Sequence, residues 1–253
     1  MSVFDAIIGQ SQAVTQFRRA AQDAALDPPG AAMTHAWLLT GPPGSGRSVL
    51  GLSFAAALVC PLGGCGTCID CRNVASGIHP DVEHVVPEGV IYNVADADLL
   101  IERAALAPRR ARWHVIVVED VDRFQLNAVP KLLRAIEEPP PRTVWVLCSP
   151  TTEDVLPTVR SRCRHVVLNS PRIDEIADQL VSNLGIPAET AMFAATVSQG
   201  HIGRARALAI DEATRQRRRE VLDIPSALGT VGSCFAAAAA VVETATREAC
   251  LLY

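Results

Sequence analysis

Between residues 10 and 26 the apolar side chains Ala13, Val14, Phe17, Ala20, Ala21 and Ala24 recur every three or four positions, and the run stops at Asp27-Pro28-Pro29-Gly30. That spacing predicts a helix with one apolar face, ended by residues that cannot continue it. His35-Ala36-Trp37-Leu38-Leu39-Thr40 is instead a short apolar run closed by a Gly/Pro-rich loop, and an Ala- and Leu-rich stretch from Ser48 to Cys60 follows. The predicted order is strand, loop, helix. Apolar runs at 82–86, 113–118 and 143–148 predict three more strands, with helical spacing at 95–107 and 126–138 between them. Apolar strands alternating with amphipathic helices predict an α/β domain whose parallel sheet is covered on both faces.

The pattern changes near Ser170-Pro171. From Ile173 onward the spacing is helical only, with breaks at Gly185-Ile186-Pro187 and Gly200-His201-Ile202-Gly203. This predicts three regions: an α/β domain at 1–170, a small helical domain at 171–225, and the start of a further helical domain at 226–253. The stretch 231–253 reads as one Ala-rich amphipathic helix with an apolar, uncapped end, as expected of a chain cut short or lacking a partner.

Composition narrows the function classes. Lys plus Arg number 23 against 27 Asp plus Glu, a net charge of −4, so a coat for nucleic acid is excluded and any DNA contact is local or shared with partners. The start lacks a basic, then apolar, leader, and no apolar run approaches the ~18 residues of a membrane span, which predicts a cytoplasmic protein without a membrane partner. In that setting the eight cysteines point to a metal or to buried thiols rather than to disulfides.

Gly41-Pro42-Pro43-Gly44-Ser45-Gly46-Arg47-Ser48 falls between a predicted strand and a predicted helix, as the phosphate-binding pattern G-x-x-x-x-G-K-[ST] requires, with Arg in place of Lys. In that pattern Gly41, Gly44 and Gly46 let backbone N–H groups curl around phosphate, residue 47 reaches the terminal oxygens, and the Ser48 hydroxyl binds magnesium. Arg47 keeps the charge on a bulkier planar fork. Both a weakened ATP site and an ordinary Gly-rich turn stay open. The strand at 115–118 ends in Glu119-Asp120, where a P-loop ATPase has Asp for magnesium followed by Glu for the attacking water. The exchange moves each carboxylate by a methylene, and a ~1 Å misplacement can cost about 10²-fold in rate, so efficient hydrolysis is not expected. A solvated acidic strand end is the plainer alternative.

Cys60-x₄-Cys65-x₂-Cys68-x₂-Cys71, with Gly63, Gly64 and Gly66 in the turns, has the spacing of a closed four-thiolate site, for which structural zinc is the expected metal. An iron–sulfur cluster and unliganded thiols are the alternatives. No Lys, Arg or aromatic residue lies between Cys60 and Cys71, which argues against a zinc module that grips nucleic acid. Cys148, Cys234 and Cys250 are expected in cores or interfaces.

Together with Ile8-Gly9-Gln10, the approach His35 to Gly41, the cysteines after the P-loop helix, His79-Pro80-Asp81, Leu132-Leu133-Arg134-Ala135-Ile136-Glu137-Glu138-Pro139-Pro140 and Thr158-Val159-Arg160-Ser161-Arg162-Cys163-Arg164, these motifs carry a resemblance. From Phe4 to about Leu208 the chain resembles the AAA+ clamp-loader subunits of bacterial DNA polymerase III. The resemblance implies an AAA+ core with a zinc insertion, a helical lid and a collar domain. It also implies that Arg162 is an arginine finger reaching a neighbour's ATP, that Ser149 is the polar sensor, and that Arg204 is the lid's second sensor. Met alone, Arg162 would be a surface arginine paired with a carboxylate, and Arg204 a helix-capping one.

Arg47 and the Glu119-Asp120 order depart from the ATP-hydrolysing gamma and tau subunits. The resemblance therefore implies a stator that hydrolyses ATP weakly or not at all, with ATP and magnesium at its own P-loop left open. Its partners would be gamma/tau and delta subunits in a hetero-pentamer that opens a sliding clamp and loads it on primed DNA, as part of the polymerase III holoenzyme but with no polymerase site of its own. A gamma/tau-type ATPase and a zinc nucleic-acid module are the rival readings. The first cysteine gap is shorter than the family's, so His79 or His84 could replace Cys60 as a ligand. Arg215, Arg217, Arg218 and Arg219 read as a solvated helix face, with phosphate contact as the alternative.

Overall fold

The run at 36–40 forms strand β1 (Ala36–Thr40), with every residue buried, because it lies in the middle of a sheet with helices on both sides. The structure is a computed structural model that describes residues 2–87, 89–227, 235 and 239. A 3₁₀ turn, Val3–Ala6, leads into α1 (Ser11–Ala24) and β1, followed by α2 (Arg47–Val59), α3 (Ile69–Ala75), β2 (Val82–Val85), α4 (Val94–Ala104) and β3 (His114–Val118). Next come α5 (Val129–Glu137), β4 (Thr143–Ser149), α6 (Pro157–Arg160) and β5 (Arg164–Val167), then α7 (Ile173–Leu184), α8 (Ala188–Ser198), α9 (Ile202–Ile210) and α10 (Glu212–Ala227).

The five strands pair in the order β2-β3-β4-β1-β5, all parallel. Strand alternation sends Trp37, Leu39, Val115, Val117, Val144 and Val146 to one face, where they pack with α1 and α2. Leu38, Ile116, Val118, Trp145 and Leu147 go to the other face and meet α4 and α5. Phe17, Trp37 and Phe54 form an aromatic cluster in the first layer, with ring centroids 4.6–5.4 Å apart. Parallel pairing also gathers the C-terminal ends of β1, β3 and β4 along one edge, where open α/β sheets bind ligands.

The chain divides into two compact units, Met1–Ser170 and Pro171–Tyr253. In the second, α8 packs against both α7 and α9 through small side chains, Ala191, Ala194, Ala195 and Ala205 being fully buried. Arg215 donates to the carbonyls of Leu208 and Ala209, and Arg217 lies 3.7 Å from Asp211, so both are tied into this unit. The helix expected over 231–253, the further domain built on it, and Cys234 and Cys250 lie outside the described residues. No helix among the described residues is long and apolar enough to cross a membrane.

β5, α3 and α5 are among the elements that differ from the sequence-based expectation. β5 is an edge strand whose Arg164 stacks over the Trp37 ring at 5.1 Å and whose His165 bonds Thr40 Oγ1 at 2.7 Å, so polar residues interrupt the apolar run. α3 is a seven-residue helix inside the cysteine cluster, started by Cys68 Sγ accepting from Cys71 N. α5 begins at Val129 rather than 126, because residues 125–128 close a turn that leaves Leu126 in solvent.

Candidate functional site

The P-loop leaves β1 under a steric constraint. Gly41 N donates to Ser149 O, and a Cβ on Gly41 would sit 2.5 Å from the Leu168 carbonyl oxygen, so only glycine fits. Gly46 starts α2 with φ 93°, in the left-handed region that other residues enter at a penalty. Among the described residues Ser45 Oγ and Arg47 Nη1 are buried with no hydrogen-bond partner, which suits an anion in the loop.

The groups that would hold magnesium do not fit an ion as they stand, because they are engaged with one another. Asp120, at φ 48°, has Arg47 3.9 Å from one carboxylate oxygen and Arg123 3.3 Å from the other. Glu119 meets His84 Nε2 at 2.6 Å and accepts from the Ser48 hydroxyl. Burial alone would raise the Glu119 carboxyl, but the hydrogen bonds from His84 and Ser48 and the charges of His84 and Arg47 outweigh it and hold the group below its ordinary value. Tyr92 Oη donates to Glu119 O at 2.9 Å and fixes the turn. Ser149 is fully buried at the end of β4, its hydroxyl shared between Asp122 Oδ1 at 3.2 Å and Thr151 O at 3.0 Å. Arg204 lies in the first turn of α9, in the second unit, where its N–H is capped by His201 Nδ1.

The four cysteines converge. Their sulfurs lie within 4.8 Å of one another, with Cys60 3.8 Å from Cys65 and 3.6 Å from Cys68. A tetrahedron with metal–sulfur bonds of ~2.3 Å has edges of about 3.8 Å, so the set fits a zinc-sized ion. Backbone N–H groups of Leu62, Cys68 and Cys71 already point at the Cys60, Cys65 and Cys68 sulfurs. Hydrogen bonds from Thr67 and Cys68 pull Cys65 down to about 6, whereas burial pushes Cys71 up. Neither histidine joins this set: His79 Nδ1 accepts from Asp81 N while its Nε2 faces Asp70 at 3.5 Å, and His84 is held by Glu119. Cys148 is instead a core thiol, pushed up to about 12 chiefly by burial.

Asp81 anchors the loop beside the cysteine module. Its carboxylate accepts three backbone N–H bonds, from Arg109, Arg110 and Ala111, and Arg110 in turn bonds Asp70 at 2.8 Å. Burial would raise the Asp81 carboxyl, yet these donors and the charge of His79 hold it below the usual range. Ionised Asp81 therefore stabilises the fold above its unfolded value of about 3.9, and this contribution is lost as pH falls through the lower folded value. Asp81→Asn is expected to cost about 1–3 kcal/mol at neutral pH and to flatten the fall in thermal midpoint below about pH 4. Unchanged midpoints from pH 3 to 7 would contradict this role.

Arg162 follows α6 and is exposed. Its Nε donates to the Glu137 carboxylate, and its Nη1 donates to Thr158 O at 2.7 Å and to Ser161 Oγ at 3.2 Å. Burial pushes the neighbouring Cys163 thiol up to about 12. The P-loop, the acidic turn and Ser149 thus meet at one sheet edge, while the cysteines and Arg162 occupy separate places. Asp122 and Glu137, which complete these contacts, carry no role in the sequence-based expectation, and His84, expected only as a substitute metal ligand, pairs with Glu119 instead.

A family model described as DNA polymerase III, delta subunit, matches residues 9–172. The chain belongs to that family. Among its relatives, the DNA polymerase III subunit delta′ of Pseudomonas aeruginosa is 35% identical over 139 residues, which make up 51% of this chain and 41% of that protein. The delta′ subunit of Bacillus subtilis is 29% identical over 152 residues, 59% of this chain and 46% of its own length. These two mark the chain as a delta-prime-type member. The gamma/tau subunit of Mycobacterium tuberculosis is 30% identical over 138 residues, 53% of this chain and 24% of that protein. Each match spans less than half of the relative's length. A solved DNA polymerase III gamma subunit-related protein from Thermotoga maritima superposes with a TM-score of 0.54 at 19% identity, over 92% of this chain and 78% of that one. A Thermotoga maritima RuvB mutant gives 0.59 at 17%, over 89% and 67%. Both similarities show the AAA+ fold of this delta-family chain.

Proposed function

We propose that the chain is the delta-prime-type stator of a bacterial clamp loader: it hydrolyses little or no ATP itself and supplies Arg162 to the nucleotide held by a neighbouring gamma/tau-type subunit. With a delta-type subunit, this assembly opens a sliding clamp and places it on primed DNA. The observation that carries the reading is the self-pairing of the P-loop edge. Arg47 faces Asp120, Ser48 donates to Glu119, and His84 bonds the same carboxylate, so the cation, hydroxyl and acids of a working ATPase are turned onto each other. Arg47 Nη1 and Ser45 Oγ would hold a phosphate if a nucleotide entered, and Ser149 would sense it through Asp122. Cys60, Cys65, Cys68 and Cys71 would hold one zinc ion, which cross-links the loop after α2 when bound. Arg204 is proposed as the lid contact to nucleotide, and the cytoplasm as the site of action.

The test is ATP turnover by the purified chain alone and then in mixture with a gamma/tau-type subunit. Alone, the chain is expected to show no turnover above background, since near-attack geometry is lost. Steady hydrolysis abolished by Ser48→Ala would make it a gamma/tau-type ATPase instead.

A further inference from the structure

Glu137 is the last residue of α5, where the free carbonyls of the final turn carry partial negative charge and a carboxylate is electrostatically misplaced. Glu138 follows as the C-cap, adding to the negative charge. The compensating cation is Arg162, 25 residues on, whose Nε–H donates to the Glu137 carboxylate. A second tie comes from Nη1, which donates to Thr158 O in α6 at 2.7 Å, the carbonyl that also accepts from Ser161 Oγ at 3.1 Å. The guanidinium is thus held by two of its nitrogens to the ends of two helices. Among the described residues nothing hydrogen-bonds Nη2, and the Arg162 and Glu137 side chains are 36 and 37% exposed.

The partial exposure of the pair distinguishes support from sequestration. A carboxylate that buried the guanidinium would take the two-pronged face, with parallel N–H bonds to both oxygens. Glu137 takes Nε alone, and the Arg162 side chain stays 36% exposed. A free arginine must lose its rotamer freedom when it meets an anion, and a side chain already fixed loses less at that moment. We propose that Glu137 is the positioning residue for Arg162, presetting its partly exposed guanidinium for the phosphate of a nucleotide on the neighbouring subunit. The proposal rests on Arg162 acting in trans.

The experiment measures kcat and KM for ATP in the assembly of the full chain with the ATPase subunit, clamp and primed DNA, using Arg162→Ala, Glu137→Ala, Glu137→Gln and the double alanine variant. Glu137→Ala is expected to lower kcat by up to about 10²-fold through misplacement of the guanidinium, with KM within about twofold of the parent. Glu137→Gln keeps an acceptor oxygen at the same reach and is expected to retain most of the rate. The double variant is expected to match Arg162→Ala alone, because Glu137 acts only through that side chain. Parental kcat with Glu137→Ala, or a raised kcat, overturns the proposal while a loss with Arg162→Ala leaves the trans reading standing. Additive losses in the double variant overturn it as well. A parental rate with Arg162→Ala removes the trans reading itself and the role of Glu137 with it.

Discussion

Arg162→Ala is expected to remove most of the turnover at the one neighbouring ATP site that Arg162 is proposed to serve, a loss within the roughly 10³–10⁵ range of an arginine finger supplied in trans. In the proposed assembly total turnover should fall less, because any other ATP site would keep its own finger. The chain should fold as before: the Arg162–Glu137 pair is solvent-exposed, and such pairs contribute about 0–1 kcal/mol. Zinc content should not change, since Arg162 touches Glu137, Thr158 and Ser161 and none of the cysteines. Arg162→Lys should not restore the rate, because a single ammonium cannot bond Glu137 and Thr158 O while presenting a further planar edge. Parental turnover by a normally assembled Arg162→Ala complex, with clamp and primed DNA present, would mean that the Ser161-Arg162-Cys163 triplet marks descent only.

The second large effect is expected at the cysteines. Protein prepared without chelator should carry about one zinc per chain, held by four thiolates as in closed structural sites. Cobalt substitution should give the intense visible bands of a tetrahedral thiolate complex. Binding energy at such a site is folding energy, about 10–16 kcal/mol in isolated zinc-finger peptides. On this larger core the loss should be smaller and local. Val3 N donates to Gly64 O, and Ser53 Oγ donates to Val3 O, so the cysteine loop holds the first turn of the chain against α2. Strong chelation or Cys68→Ser should therefore lower the thermal midpoint and speed proteolysis at the N-terminal segment and at 60–75, before the sheet is lost. Metal-free protein with an unchanged midpoint would rule out the site.

The central strands were legible because β1, β3 and β4 are buried on both faces and read as unbroken apolar runs. β5 was not, since an edge strand can carry Arg164 and His165 at its start. The P-loop, the acidic pair and the cysteines were legible because their chemistry depends on spacing along the chain. What stayed hidden depends on spacing across it. The β2–β3 register sets His84 opposite Val117, which brings its ring to Glu119 two residues further on. Nothing local to either residue encodes that register. Glu137 stands in a quoted motif, but its partner is fixed only when α5 and the loop after α6 come together.

Gly41 has a consequence for how relic sites are recognised. A side chain there would strike the Leu168 carbonyl whether or not phosphate ever binds, so the fold needs this glycine for its own packing. A lineage released from handling nucleotide would be free to drift at Arg47 and at the acidic pair while the loop's outline persisted. The Gly-rich signature would then outlive the chemistry, and the residues that report on current use are those whose hydrogen bonds have been redirected.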